Sequence, residues 1–117
     1  MNRGSRSFIS PEVFSTTSYS YEIDVFSFSI VQFCILFNVA DPYFWTKQLS
    51  ENANDDFFDF KIDEKVSKGM RPMYPPGFKP NKQNEWFCKL MCQSWHQDKN
   101  ARPSFSDIEE VFKKNYS

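Results

Sequence analysis

Apolar and polar positions divide the chain into a polar start, one long apolar run, an acidic middle and two amphipathic stretches. Residues 1–23 are rich in Ser, Thr and Tyr and read as loop, with a short helical turn after Pro11. From Val25 to Phe37 most positions are apolar. Phe26-Ser27-Phe28-Ser29-Ile30 alternates as a strand does, yet the run is long for a strand and holds no turn residue. Asp24 is a suitable N-cap, so residues 24–37 are expected as a central helix buried on most of its faces.

Residues 38–60 read as a polar and acidic connection, most strongly from Asn52 to Asp59. Ile62 to Lys68 is expected as a short helix ended by Gly69. Pro72 to Pro80 must be extended or turning, because Pro75-Pro76 excludes helix and a residue before proline avoids it. Residues 82–95 put Phe87, Leu90, Met91 and Trp95 on one face of an amphipathic helix. The last helix is expected to start at Ser104, with Asp107 as a capping-box variant, and to bury Phe105, Ile108, Val111 and Phe112. With no internal repeat, the chain reads as one mainly α unit with three helices after the central one and no sheet of its own.

Composition narrows the function classes. At 117 residues the chain can bury about two-thirds of its unfolded surface. Fourteen Phe make rings the main core material. A net charge of −1 leaves no basic face for nucleic acid. Gly4, Gly69 and Gly77 are too far apart to form a phosphate-cradling loop. The polar stretch Met1 to Arg6 is no secretory signal, and Val25 to Phe37 is too short to span a bilayer. With three cysteines, an odd number, a reducing, cytoplasmic setting without membrane attachment is the expectation.

Candidate chemistry is sparse. His96-Gln97-Asp98 resembles a catalytic His-x-Asp, but Pro103 stands where an asparagine is needed. Asp59-Phe60-Lys61 resembles a metal-binding Asp-Phe-Gly, but lysine replaces the glycine. Cys88, Cys92 and His96 recur every fourth residue, which puts the first and last about 12 Å apart along a helix and beyond one metal ion. The acidic run from Glu51 to Glu64 lacks calcium-loop spacing. No catalytic, cofactor-binding or metal-ligating residue is assigned.

Four blocks, in order, resemble the C-terminal lobe of a protein kinase. Gly4-Ser5-Arg6-Ser7-Phe8-Ile9-Ser10-Pro11-Glu12 resembles Gly-Thr-x-x-Tyr-Met-Ala-Pro-Glu, the substrate-docking loop and the end of the activation segment. Tyr21 to Ser29 is similar to the start of that family's central helix. Lys68-Gly69-Met70-Arg71-Pro72 resembles the Lys-Gly-x-Arg-Pro of the tyrosine-kinase-like serine/threonine group. Ser94-Trp95-His96-Gln97-Asp98-Lys99-Asn100-Ala101-Arg102-Pro103-Ser104-Phe105 resembles Cys-Trp-x-x-Asp-Pro-x-x-Arg-Pro-Ser-Phe. The departures at Ser10, Ser29, Ser94 and Lys99 are local.

The resemblance implies roles. Glu12 and Arg102 would form a buried ion pair between the activation segment and the last helices; buried charges persist when paired and hydrogen-bonded. Asp24 would accept hydrogen bonds from the catalytic-loop backbone, and Val31 and Ile35 would anchor the hydrophobic spines. Gly4, Ser5, Ser7 and Phe8 would line the substrate-docking loop, with Ser5 where serine/threonine kinases keep a threonine near the catalytic Asp. A complete kinase of this family uses ATP and magnesium to phosphorylate a protein substrate. The elements that do this are a Gly-rich loop, a Lys/Glu pair, a catalytic Asp and a metal-binding Asp. They precede the Ala-Pro-Glu element, so no cofactor is expected on this chain. Three readings stay open: the tail of a serine/threonine kinase, a short inactive lobe acting as a protein-interaction module, and an unrelated helical binding domain.

Overall fold

A computed structural model of the chain describes residues 8–14, 20–49 and 58–116. A 3-10 turn at Pro11–Phe14 precedes the central helix α1, Tyr21–Phe37. Four α-helices follow, α2 (Phe44–Leu49), α3 (Phe58–Ser67), α4 (Glu85–Ser94) and α5 (Phe105–Tyr116), with a second 3-10 turn at Lys99–Ala101 before α5. There is no strand among the described residues.

Helix α1 starts earlier than its apolar run. Ser20 is the N-cap, with extended backbone at φ −149°, and Asp24 joins Glu22 inside the first turn. The expected cap is therefore displaced to Ser20, while both carboxylates sit where the helix dipole favours negative charge. At the other end Asn38 is left-handed, φ 53°, and Val39 N–H donates to Cys34 O at 3.0 Å. That closes the helix as a Schellman turn usually does with glycine.

The central helix is not buried all round. Val25, Phe26, Ile30 and Phe33 have no exposed surface, but Val31 is 40% and Ile35 70% exposed. Residues four apart share a helix face, so these two lie on one side of α1, away from its buried residues.

The expected connection at 38–60 contains the additional helix α2 and the beginning of α3. Asp41 organises the entry to α2. Its carboxylate accepts Tyr43 N–H at 3.0 Å and pairs with Lys47 at 2.9 Å, while its carbonyl accepts Phe44 N–H at 3.1 Å. Six residues are too few for apolar periodicity to announce a helix. Helix α3 ends at a full Schellman motif, with Gly69 N–H on Val66 O at 3.0 Å and Met70 N–H on Lys65 O at 2.9 Å. Gly69 has φ +109°, a conformation that favours glycine. Helix α4 begins three residues late because Asn81 and Asn84 form a turn, in which Asn81 Oδ1 accepts Gln83 N–H at 2.9 Å and Asn84 N–H at 3.0 Å.

Two clusters flank α1. Phe26, Ile30 and Phe33 meet Tyr43, Ile62, Val66, Met91 and Trp95 on one side. Val25 meets Leu90 and Ile108 on the other, with Phe28, Val111 and Phe112 packed against them. Ser104 and Asp107 cap α5 reciprocally, with Asp107 N–H on Ser104 Oγ at 3.1 Å and Ser104 N–H on Asp107 Oδ2 at 3.3 Å. Phe105 departs from the expected core: it is 44% exposed. At the first position of α5 it meets Phe28 edge-on, with ring centres 6.2 Å apart.

Candidate functional site

Glu12 and Arg102, ninety residues apart, meet where the first 3-10 turn, the start of α1 and the turn before α5 converge. Arg102 Nη1 lies 2.6 Å from Glu12 Oε2, and Nη2 lies 2.9 Å from Oε1, a two-pronged pair. Two further donors go to backbone: Nε to His96 O and Nη1 to Glu22 O, each at 2.9 Å. The Arg102 side chain has no exposed surface and that of Glu12 is 14% exposed. Burial alone would raise the Glu12 carboxyl; the Arg102 hydrogen bonds, its own backbone N–H and the Arg102 charge outweigh burial and hold it below 4.5.

A second guanidinium shares the site. Both guanidinium groups lie over the Phe26 ring, Arg102 Cζ 5.0 Å and Arg71 Cζ 4.9 Å from its centre. Cations are attracted to ring faces, so Phe26 eases the approach of two like charges. Arg71 donates to Trp95 O at 2.7 Å, Met70 O at 2.7 Å, Val66 O at 3.2 Å and Gln97 Oε1 at 2.8 Å. Burial and, to a lesser degree, the Arg102 charge lower its pKa, while Tyr43 and then Glu12 oppose the shift. Two arginines, one carboxylate and one ring thus tie together α1, the end of α3, the end of α4 and both 3-10 turns. Sequence reasoning overlooked Phe26 and the hydrogen bonds of Arg71; the signal available for Arg71 was Gly69-Met70-Arg71-Pro72.

The other predicted residues are dispersed. Gly4, Ser5 and Ser7 lie outside the described residues. Phe8 packs against the larger cluster, and its carbonyl accepts Ser27 Oγ at 2.6 Å. Asp24 is exposed in the first turn of α1. Val31 and Ile35 lie on the open side of α1.

His96-Gln97-Asp98 serves as scaffold. His96 Nδ1 accepts Asp98 N–H at 2.9 Å, and Gln97 Nε2 donates to Ser67 O at 2.7 Å. Cys88 is buried and Cys92 exposed, the latter 3.4 Å from Tyr74 Oη. Burial, followed by the neighbouring Cys92, pushes the Cys88 thiol up, away from the reactive thiolate. No group of three metal-ligating side chains occurs among the described residues.

A junction of this kind braces chain segments. Its place in a known family follows from comparison. Residues 2–112 match the family described as protein tyrosine and serine/threonine kinase, and the chain belongs to it. A probable LIM domain-containing serine/threonine-protein kinase of Dictyostelium discoideum is 32% identical over 114 residues, covering 97% of this chain and 10% of that protein. Serine/threonine-protein kinase VIK of Arabidopsis thaliana is 32% identical over 106 residues, covering 90% of this chain and 20% of that protein. Cyclic GMP-binding protein C of Dictyostelium discoideum is 30% identical over 108 residues, covering 88% of this chain and 3% of that protein. The chain therefore spans a small part of the relatives it matches.

Proposed function

We propose that this chain serves as the C-terminal scaffold of a serine/threonine protein kinase domain of the tyrosine-kinase-like group. In that reading Glu12 and Arg102 brace the end of the activation segment against the last helices. The observation that carries it is the two-pronged buried pair spanning residues 12 and 102. Gly4, Ser5, Ser7 and Phe8 border the protein-substrate site, and Asp24, Val31 and Ile35 face the catalytic half of a complete domain. The exposure of Val31 and Ile35 supports this, because large apolar side chains grouped on one helix face call for a covering surface.

Phosphoryl transfer to a protein, with ATP and magnesium, is the activity of the complete kinase, with a cytoplasmic setting. No helix among the described residues is long and apolar enough to cross a membrane. The chain by itself is proposed to be catalytically incompetent and to bind no nucleotide. Thermal melting of the chain with and without ATP and magnesium tests this: the expected result is no shift, and a saturable rise in Tm would overturn it.

A further inference from the structure

Helices α4 and α5, which flank Arg102 in the sequence, enclose a surface groove. Trp86, Leu90 and Val111 provide its apolar walls, and Lys89 and Lys114 stand exposed on its two helices. The Trp86 indole N–H is already used on Gln83 O at 3.0 Å, and its ring stands edge-on to Phe112 with centres 5.3 Å apart. Trp86 therefore offers the groove a fixed apolar surface with no unmet donor.

The charges are one-sided. Lys113 is paired with Glu109 at 2.9 Å, and Lys47 and Lys68 with Asp41 and Glu64. Lys89 and Lys114 meet no acidic side chain at ion-pair distance among the described residues, although Glu85 and Glu110 sit one helical turn before them. Each ammonium thus remains available beside an apolar floor. Glu110 lines the more open depression beyond Val111 together with Lys113 and Lys114, so Lys114 borders both surfaces while Glu110 does not line the groove itself.

The groove is small, about 280 Å³, at the lower edge of the roughly 300–1,000 Å³ usual for small-molecule pockets. It suits one or two side chains. Two lysines on a chain of net charge −1 are too few for a nucleic-acid face. We propose that this groove docks an acidic segment of a protein partner, seating one aliphatic or aromatic side chain between Trp86, Leu90 and Val111 while carboxylates meet Lys89 and Lys114. The groove involves neither Glu12 nor Arg102, so the proposal does not rest on the scaffold reading above.

Fluorescence anisotropy of the full chain with a labelled peptide of Asp, Glu and Leu tests the proposal. Saturable binding is expected. It should weaken on the order of tenfold when the peptide carboxylates are replaced by amides, and equally in the Lys89→Glu, Lys114→Glu double variant. Both lysines are exposed, so the circular dichroism of the variant should match the parent; a Lys89→Gln, Lys114→Gln variant provides the same readout if it does not. Absence of saturation, or equal affinity for the acidic and amide peptides, would overturn the proposal. So would binding unaffected by both lysine variants. Sedimentation with phosphatidylserine vesicles in place of peptide binding would assign the groove to a membrane surface and overturn it too.

Discussion

Arg102 has no exposed side-chain surface, so its charge is tolerated only because Glu12 and two backbone carbonyls surround it. Removing one partner leaves the other buried and unpaired. Glu12→Ala is expected to cost about 3 kcal/mol, read as a lower urea midpoint of the chain, and Glu12→Gln less, because the amide oxygen still accepts one bond. The carboxyl is held below its ordinary value of 4.5, so its contribution is full above that pH and is lost as pH falls through the lowered value. The gap between parent and Glu12→Ala should therefore be constant near neutrality and shrink below about pH 4.5. A gap that widens with acid would contradict the pairing. Both residues could be singled out in the sequence through their motifs, but the ring that both arginines meet could not. Phe26 looks like any other member of an apolar run until Arg71 and Arg102 are brought over its ring.

At the scale of elements, local chemistry set several boundaries and tertiary contacts set others. Ser104 and Asp107 cap α5 as their spacing predicts, and Ser104→Ala should cost about 1 kcal/mol. Gly69, at φ +109°, ends α3 with open space around the position of a Cβ. Gly69→Ala should therefore cost about 1 kcal/mol from backbone strain alone, without a packing penalty. Thermal melts of these two variants check both figures, and a stabilising Gly69→Ala would refute the strained conformation. Helix α2 was not legible, because Asp41 caps a segment too short to show a period. The late start of α4 was likewise hidden, because mutual bonding of Asn81 and Asn84 competes with helix at residues whose apolar spacing continues it.

For the whole molecule, α1 is the axis, and its sides are unequal. Ile30 has no exposed surface, whereas Ile35, five positions on, is 70% exposed. Ile30→Ala should cost about 2–5 kcal/mol and Ile35→Gln less than about 0.5 kcal/mol in the same urea titration. A large loss at Ile35 would show that its side of α1 is covered in solution. That apolar surface also predicts a chain prone to associate when studied alone.

The sequence by itself determined the family, the mainly α class and the two cap signals of α3 and α5, because each is written in adjacent residues. It also placed Glu12 and Arg102 within recognised motifs. Only the tertiary structure decided which sides of α1 are buried, since a run apolar at nearly every position carries no directional information. It likewise decided that Phe105 is half-exposed, that Arg71 shares Phe26 with Arg102, and that Lys89 and Lys114 flank one groove. These outcomes depend on which distant segments meet, and contacts ninety residues apart leave no local periodicity to read.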